Sequence, residues 1–339
     1  MSSSSAVAGG RRSRTSAMLA VVVCGALAPA CGFGFADDAS GGTDDLPTTG
    51  AGPFRRLVVD ENTPADEPWL ATDRTLDFTE PALTLRDGGG FIYYVTRESP
   101  DPPVGDSQIW RGELSDPHQL PVEPPAPVLI ADQPWEEGHV AAPSIVVLAG
   151  RQIMFYEGGL STPTLGRAES TDGGRTWQKS ASLVVGVRSP SVATDGARWL
   201  AAFQRPGQPD LWLARSDDGL VWIVDDAPTL VPTGIADSFE AVEVGAPTLA
   251  WLVESTGRGH WALWYSGLEK LPMPGDAPRY AIGYAASFDG MDWARIAGGR
   301  PVLTAPAGAP AVLVRGSTAT LLFDAPNGRR LAVGVASHP

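Results

Sequence analysis

The sequence predicts an all-β chain built as a five-bladed β-propeller, and three observations carry that reading. Five segments open with Pro, a small residue and an aliphatic one: Pro81-Ala82-Leu83, Pro143-Ser144-Ile145, Pro190-Ser191-Val192, Pro247-Thr248-Leu249 and Pro310-Ala311-Val312. They are spaced by 62, 47, 57 and 63 residues, the period of a repeated sheet unit. A turn ending in Trp occurs three times, as STDGGRTW at 170–177, SDDGLVW at 216–222 and SFDGMDW at 287–293. Short β-branched and aromatic runs are punctuated by 39 Gly and 31 Pro, and no stretch keeps a helical period between caps.

Taken in chain order, the first element is a leader. Arg11, Arg12 and Arg14 precede an uncharged run from Ala17 to Ala30, a signal-peptide pattern too short to span a bilayer as a helix. The run ends in LAPAC, which resembles the lipobox of bacterial lipoproteins and marks Cys31 for lipidation. Residues 1–31 are thus read as a signal peptide with a lipobox-like end, on an exported cell-envelope lipoprotein or secreted protein. Cys24 lies inside the leader, so the domain that follows has no cysteine and relies on a large core. Residues 32–53, rich in Gly, Asp and Thr, are read as a disordered tether, and 54–339 as the propeller. Without the three leader arginines, 22 basic residues face 39 acidic ones, a net charge of −17. That excludes nucleic acid and leaves the lipid as the only membrane contact.

Within each repeat the Pro word begins the innermost strand. A second strand follows as FIYYVTR, QIMFYEGG, RWLAAFQRP, WALWYSG or TATLLFDAP, and a third as SQIWRGELS, TLGRAES, DLWLARS, YAIGYAAS or RLAVGVAS. The Trp-ending turn leads from the third strand to the outermost. Its Gly takes positive φ, its Asp accepts backbone N–H groups, and Trp177, Trp222 and Trp293 fill wedges between blades. The outer strands read as VLI at 128, LVV at 183, TLV at 229 and PVL at 301; the fifth copy has none after Ser337. Leu57-Val58-Val59 stands unassigned before blade one, so the N-terminal strand is expected to complete the last blade, pairing with 330–335 and removing exposed edges.

At this point WYSG, AIGYAASFDGMDW and GRPVL together resemble the blade signature of the five-bladed glycoside hydrolase clan of arabinanases, xylosidases, levansucrases, invertases and mannoside phosphorylases. STDGGRTW also matches the Asp-box of sialidases, but these resemble six-bladed propellers and only five copies are countable here. The clan resemblance implies a carboxylate in blade one acting as nucleophile or base and a Glu from a later blade acting as acid, at the axis. Candidate catalytic positions are Asp77, Glu80, Glu137, Glu240 and Glu243; candidate substrate-binding positions are His139, Glu157, Arg188, Arg205 and Asp324. The clan's blade-one Asp-Pro is Glu80-Pro81 here, and the acids before blades two and four sit at different distances from their prolines, so no single register aligns them. The four His show no metal-ligand spacing, so no metal and no cofactor is expected. The expected partner is carbohydrate, bound by a monomer, with a non-catalytic cell-surface scaffold that binds protein as the alternative.

Overall fold

The computed structural model describes residues 50–56, 76–86, 89–98, 107–114, 126–273, 278–296, 299–315, 318–327 and 330–338. The leader, Cys31, most of the expected tether and Leu57–Val59 lie outside them. The chain forms five antiparallel sheets. β1 (Arg55–Arg56) precedes blade one, which comprises β2 (Leu76–Arg86), β3 (Gly89–Glu98), β4 (Gln108–Leu114) and β5 (Ala126–Ile130). Blade two is β6 (Val140–Leu148), β7 (Arg151–Gly158) and β8 (Thr164–Ser170), edged by β9 (Gln178–Lys179) and β10 (Val184–Val185). Blade three is β11 (Arg188–Thr194), β12 (Trp199–Gln204), β13 (Leu211–Ser216) and β14 (Ile223–Val224). Blade four is β15 (Glu243–Val253), β16 (Gly259–Leu268), β17 (Tyr280–Ser287) and β18 (Ala294–Arg295). Blade five is β19 (Gly308–Arg315), β20 (Thr318–Asn327) and β21 (Arg330–His338).

The first strands pack side by side in chain order, and β19 returns against β2. The ring is therefore a five-bladed propeller. Blade five takes its fourth strand from the N-terminus: Arg55 pairs with Ser337 and Arg56 with Ala336. The packed chain begins before the expected boundary at 54. Ala51 and Phe54 are buried, the Phe54 N–H donates to Val302 O, and the Trp264 indole donates to Gly50 O at 2.8 Å.

Apolar clusters sit between neighbouring blades, as alternating strands with one face toward each neighbour require. The Trp-ending turns serve this packing. Asp172 accepts the N–H groups of Arg175 and Thr176, and Asp218 and Asp289 accept equivalent pairs. Trp177 then meets Tyr93 of blade one edge-on, and Trp222 meets Phe155 of blade two. The outer strands of blades three and four are shorter than expected: TLV and PVL each contribute one isolated bridge, Leu230 to Leu211 and Leu303 to Ile282.

A β-bulge interrupts every first strand at its Pro word. The residue before each Pro takes a left-handed conformation: Glu80 (φ 54°), Ala142 (45°), Ser189 (46°), Ala246 (41°) and Ala309 (41°). Such backbone costs of order 1 kcal/mol or more for a non-Gly residue and turns its N–H out of the ladder, so a partner must be supplied. The preceding blade supplies it. Ser189 N donates to Glu157 (2.9 Å), Ala246 N to Gln204 (3.0 Å), Ala309 N to Ser266 (2.9 Å) and Glu80 N to Asp324 (2.8 Å). Each acceptor follows the aromatic of the second strand. Blade one has Val95 in that place, and the Glu80 carboxylate accepts Ala142 N instead, at 2.8 Å. The five bonds form a closed ring around the axial mouth.

A second device recurs in blades two and four. Glu136 and Glu240 are buried, each seven residues before its Pro. Glu136 accepts the Tyr156 hydroxyl (2.7 Å) and pairs with Lys179 (2.7 Å) of the outer strand; Glu240 accepts the Tyr265 hydroxyl (2.8 Å) and pairs with Arg295 (2.9 Å). Trp135 stacks on Tyr156 and Phe239 on Tyr265. The tyrosine rings lie over Gly166 and Gly283, where a Cβ would stand 2.4 Å from the ring. Burial, reinforced by the adjacent carboxylate, pushes both phenols well above their ordinary range. These clasps tie inner, middle and outer strands of one blade together.

Two outcomes follow. Deleting residues 32–48 should leave thermal unfolding unchanged, whereas deleting 32–56 removes Phe54 and the closing strand. Burial of one Phe is worth about 3 kcal/mol, so the longer deletion should lower the melting temperature by about 5 °C; equal values would show that blade five needs no closing strand. Glu240→Ala leaves Arg295 without its counter-charge and should cost roughly 3–5 kcal/mol in denaturant unfolding. Glu240→Gln, which keeps an acceptor for Tyr265, should cost less. A Glu240→Ala protein as stable as the parent would refute the clasp.

Candidate functional site

The bulges gather polar groups at one end of the axis. Inside the ring runs a channel of about 320 Å³, lined by the Pro words of all five blades. It meets a wider funnel of about 600 Å³, formed by the entry loops of blades two to four and by loops after their second strands. Glu80 and Ser189 line both cavities, so the funnel opens onto the axis.

Three predicted carboxylates face the funnel from different blades. Glu80 comes from blade one, Glu157 from blade two and Glu243 from blade four. Glu80 and Glu157 are held by the backbone N–H groups described above. Glu243, half-buried, accepts Gln204 Nε2 (3.2 Å) and the Tyr280 hydroxyl (3.4 Å). Burial, then the neighbouring Glu243 charge, pushes the Tyr280 phenol up to about 12, so it stays a donor across the neutral range. His139 lies in the wall. Its Nδ1 is 2.8 Å from Ser107 Oγ and its Nε2 is 3.6 Å from Glu157 Oε1, so the imidazole braces the carboxylate from behind. Arg188 and Arg205 line the funnel from blade three, the Arg205 guanidinium lying 3.8 Å from the Trp212 ring centroid.

The other predicted positions take different places. Asp324 sits behind Glu80, accepting its N–H and the Thr79 hydroxyl, as part of the interblade ring. Asp77 stands on β2 opposite Arg97 of β3, two residues outside the bulge; the side chains of this pair lie outside the described residues. Glu137 is exposed and turned to the loop after β7, where its carboxylate accepts Leu160 and Ser161 N–H groups. The Ser161 bonds hold it below the usual carboxylate range. Glu240 is buried in its clasp and does not line the funnel.

The acids do follow common registers once the repeats are superposed. Asp77, His139 and Glu243 each lie four residues before their Pro, and Glu136 and Glu240 each lie seven before. The first register points to the mouth in blades two and four, and the second to the clasp. Gln204 was missed from sequence, although it follows the second-strand aromatic just as Glu157, Ser266 and Asp324 do. Ser107 and Tyr280 were also missed, and no local pattern marks them. Among the described residues no three His, Cys, Asp or Glu side chains come together as a metal site.

No protein-family model matches the chain, and no curated protein matches it. Solved structures do. A glycosyl hydrolase from Bacteroides ovatus aligns with a TM-score of 0.65 at 18% identity, over 86% of this chain and 95% of that one. A structure from work on the GH130 family of mannoside phosphorylases, a family containing glycoside hydrolases that target β-1,2 mannosidic linkages in Candida mannan, aligns with a TM-score of 0.63 at 17% identity, over 86% and 95%. An exo-1,5-α-L-arabinanase from a bovine ruminal metagenomic library aligns with a TM-score of 0.55 at 14% identity, over 79% and 94%. At these identities the likeness is one of fold. The chain has the five-bladed propeller architecture found in glycoside hydrolases.

Proposed function

We propose that the protein processes carbohydrate in the axial funnel, hydrolysing a glycosidic bond between carboxylates brought there by different blades. The observation that carries this reading is the convergence of Glu80, Glu157 and Glu243 on one open cavity at the axis. Glycoside hydrolysis needs two carboxyl groups flanking the bond, one giving a proton and the other acting as nucleophile or base. Glu80, nearest the axis and anchored by Ala142 N–H, is the candidate nucleophile or base. Glu243, half-buried on blade four and lining the same cavity, is the candidate acid. Structural neighbours named as a glycosyl hydrolase and an arabinanase support the choice of substrate class.

A second reading, glycan binding without turnover, is favoured by one feature. Glu80 and Glu157 each already serve the interblade ring, as a non-catalytic propeller would require. Hydrolysis assays on arabinan, xylan, fructan and β-mannoside panels separate the two. If hydrolysis is the function, Glu243→Gln should lower turnover by roughly 10²-fold or more at unchanged melting temperature. Glycan binding with no turnover leaves the second reading. No turnover, with no glycan binding that responds to Glu80→Gln or Glu243→Gln, removes the site altogether.

Export is also proposed, through the leader and acylation of Cys31, on the strength of the charge-then-apolar pattern ending in that residue. Detergent partitioning and mass spectrometry of the mature N-terminus should find a lipid-modified Cys31; an unmodified protein starting elsewhere would rule it out.

A further inference from the structure

The funnel is electrostatically divided. Its carboxylates come from blades one, two and four and are each engaged: Glu80 with Ala142 N, Glu157 with Ser189 N and His139, Glu243 with Gln204 and Tyr280. Among the described residues blade three contributes no carboxylate to the lining; its polar side chains there are Arg188, Ser189, Gln204, Arg205 and Gln208. Arg188 opens β11 opposite Gln204, and Arg205 follows Gln204 directly, so the two guanidinium-bearing residues stand on adjoining strand ends. Both face the cavity. Among the described residues neither forms an ion pair, whereas Arg151, Arg167, Arg198, Arg215 and Arg295 each pair with a carboxylate. Arg175, Arg258, Arg279, Arg300 and Arg315 likewise form no ion pair among the described residues; what sets Arg188 and Arg205 apart is that they share one cavity.

Their setting favours a planar anion. The Arg205 guanidinium carbon lies 3.8 Å from the Trp212 ring centroid, a cation–π contact that restrains the group without using its N–H donors. Gln204 between them cannot compete for the guanidinium groups. Its amide nitrogen donates to Glu243 and Val244 O, and its oxygen accepts Ala246 N. Sugar-binding clefts commonly add an aromatic platform, but the described lining of this funnel includes none; its apolar members are Leu160, Pro209, Val242 and Leu271. The described lining offers recognition by charge and hydrogen bonding.

We propose that the funnel takes a sugar bearing a carboxylate, of the uronic-acid class, with that carboxylate bound by Arg188 and Arg205 on blade three. Guanidinium and carboxylate match as planar two-point partners, and a sugar held there would lie in the same cavity as Glu80 and Glu243. This rests on the carbohydrate reading above and narrows its substrate.

The test is calorimetric titration of the full protein with galacturonate, glucuronate and mannuronate oligosaccharides, each beside its carboxyl-reduced neutral form. At least one acid form should bind about tenfold or more tightly than its neutral counterpart, with the difference shrinking as salt is raised. Arg188→Gln and Arg205→Gln should each bring the affinity of the acid form down to that of its neutral counterpart, at unchanged melting temperature. Arg205→Lys, which keeps the charge but loses the fork, should retain only part of the difference. Neutral and acid forms binding equally would overturn the uronate assignment and leave the carbohydrate reading standing. Sodium phosphate or sulfate binding as tightly as the acid sugars would overturn it too, because the charge would not need to be carried by a sugar. Absence of binding by any oligosaccharide, acid or neutral, would overturn both.

Discussion

Five backbone N–H groups at the axial mouth govern this molecule. Each innermost strand bulges before its Pro into a left-handed residue, and each bulge strands one N–H where no strand can reach it. An orphaned buried donor costs more than most single contacts contribute. The preceding blade therefore must present an acceptor at one position of its second strand, and Glu157, Gln204, Ser266 and Asp324 fill that position. Adjacent blades are thereby registered to within a hydrogen bond's tolerance. The same requirement concentrates polar side chains at one end of the ring, so the chemistry of the mouth and the integrity of the ring draw on the same residues.

Blade one is the exception that shapes the site. Val95 cannot accept a bond, so the bulge residue itself, Glu80, reaches across to Ala142. The other four blades carry Ala or Ser at this bulge, which leaves the axis otherwise free of large side chains. A carboxylate standing at the axis is thus tied to an apolar residue fifteen positions later on the neighbouring strand. Neither is intelligible alone.

The fold was legible because its determinants are local and repeated. A Pro word, an aromatic second strand and a Ser-x-Asp turn recur often enough for the period to emerge, and alternation does the rest. The site was less so. Acid spacing looked irregular because Glu137, exposed on a loop, was chosen in blade two, whereas its neighbour Glu136 is the counterpart of Glu240. The partners that decide each acid's role lie a blade away: Glu157 answers to Ser189, and Glu243 to Gln204 and Tyr280. Contacts between blades depend on ring geometry, which strand patterns do not encode. Glu80 and Glu157 were found as mouth residues, but their bonds to the next blade's backbone left no trace in the local pattern.

The closing strand has a consequence for the order in which the molecule assembles. Arg55 pairs with Ser337, so, among the described residues, the first strand to leave the ribosome must wait for the last. Joining ends about 280 residues apart in an otherwise unstructured chain would forfeit on the order of 5 kcal/mol of loop entropy. Once four blades have formed, that loop is already folded and the remaining loss is small. Ring closure is therefore the natural final step of folding. Until it occurs, the free edge of β21 and the slot for Phe54 beside Val302 are open, which makes the nearly finished chain the species most prone to pair with a neighbour.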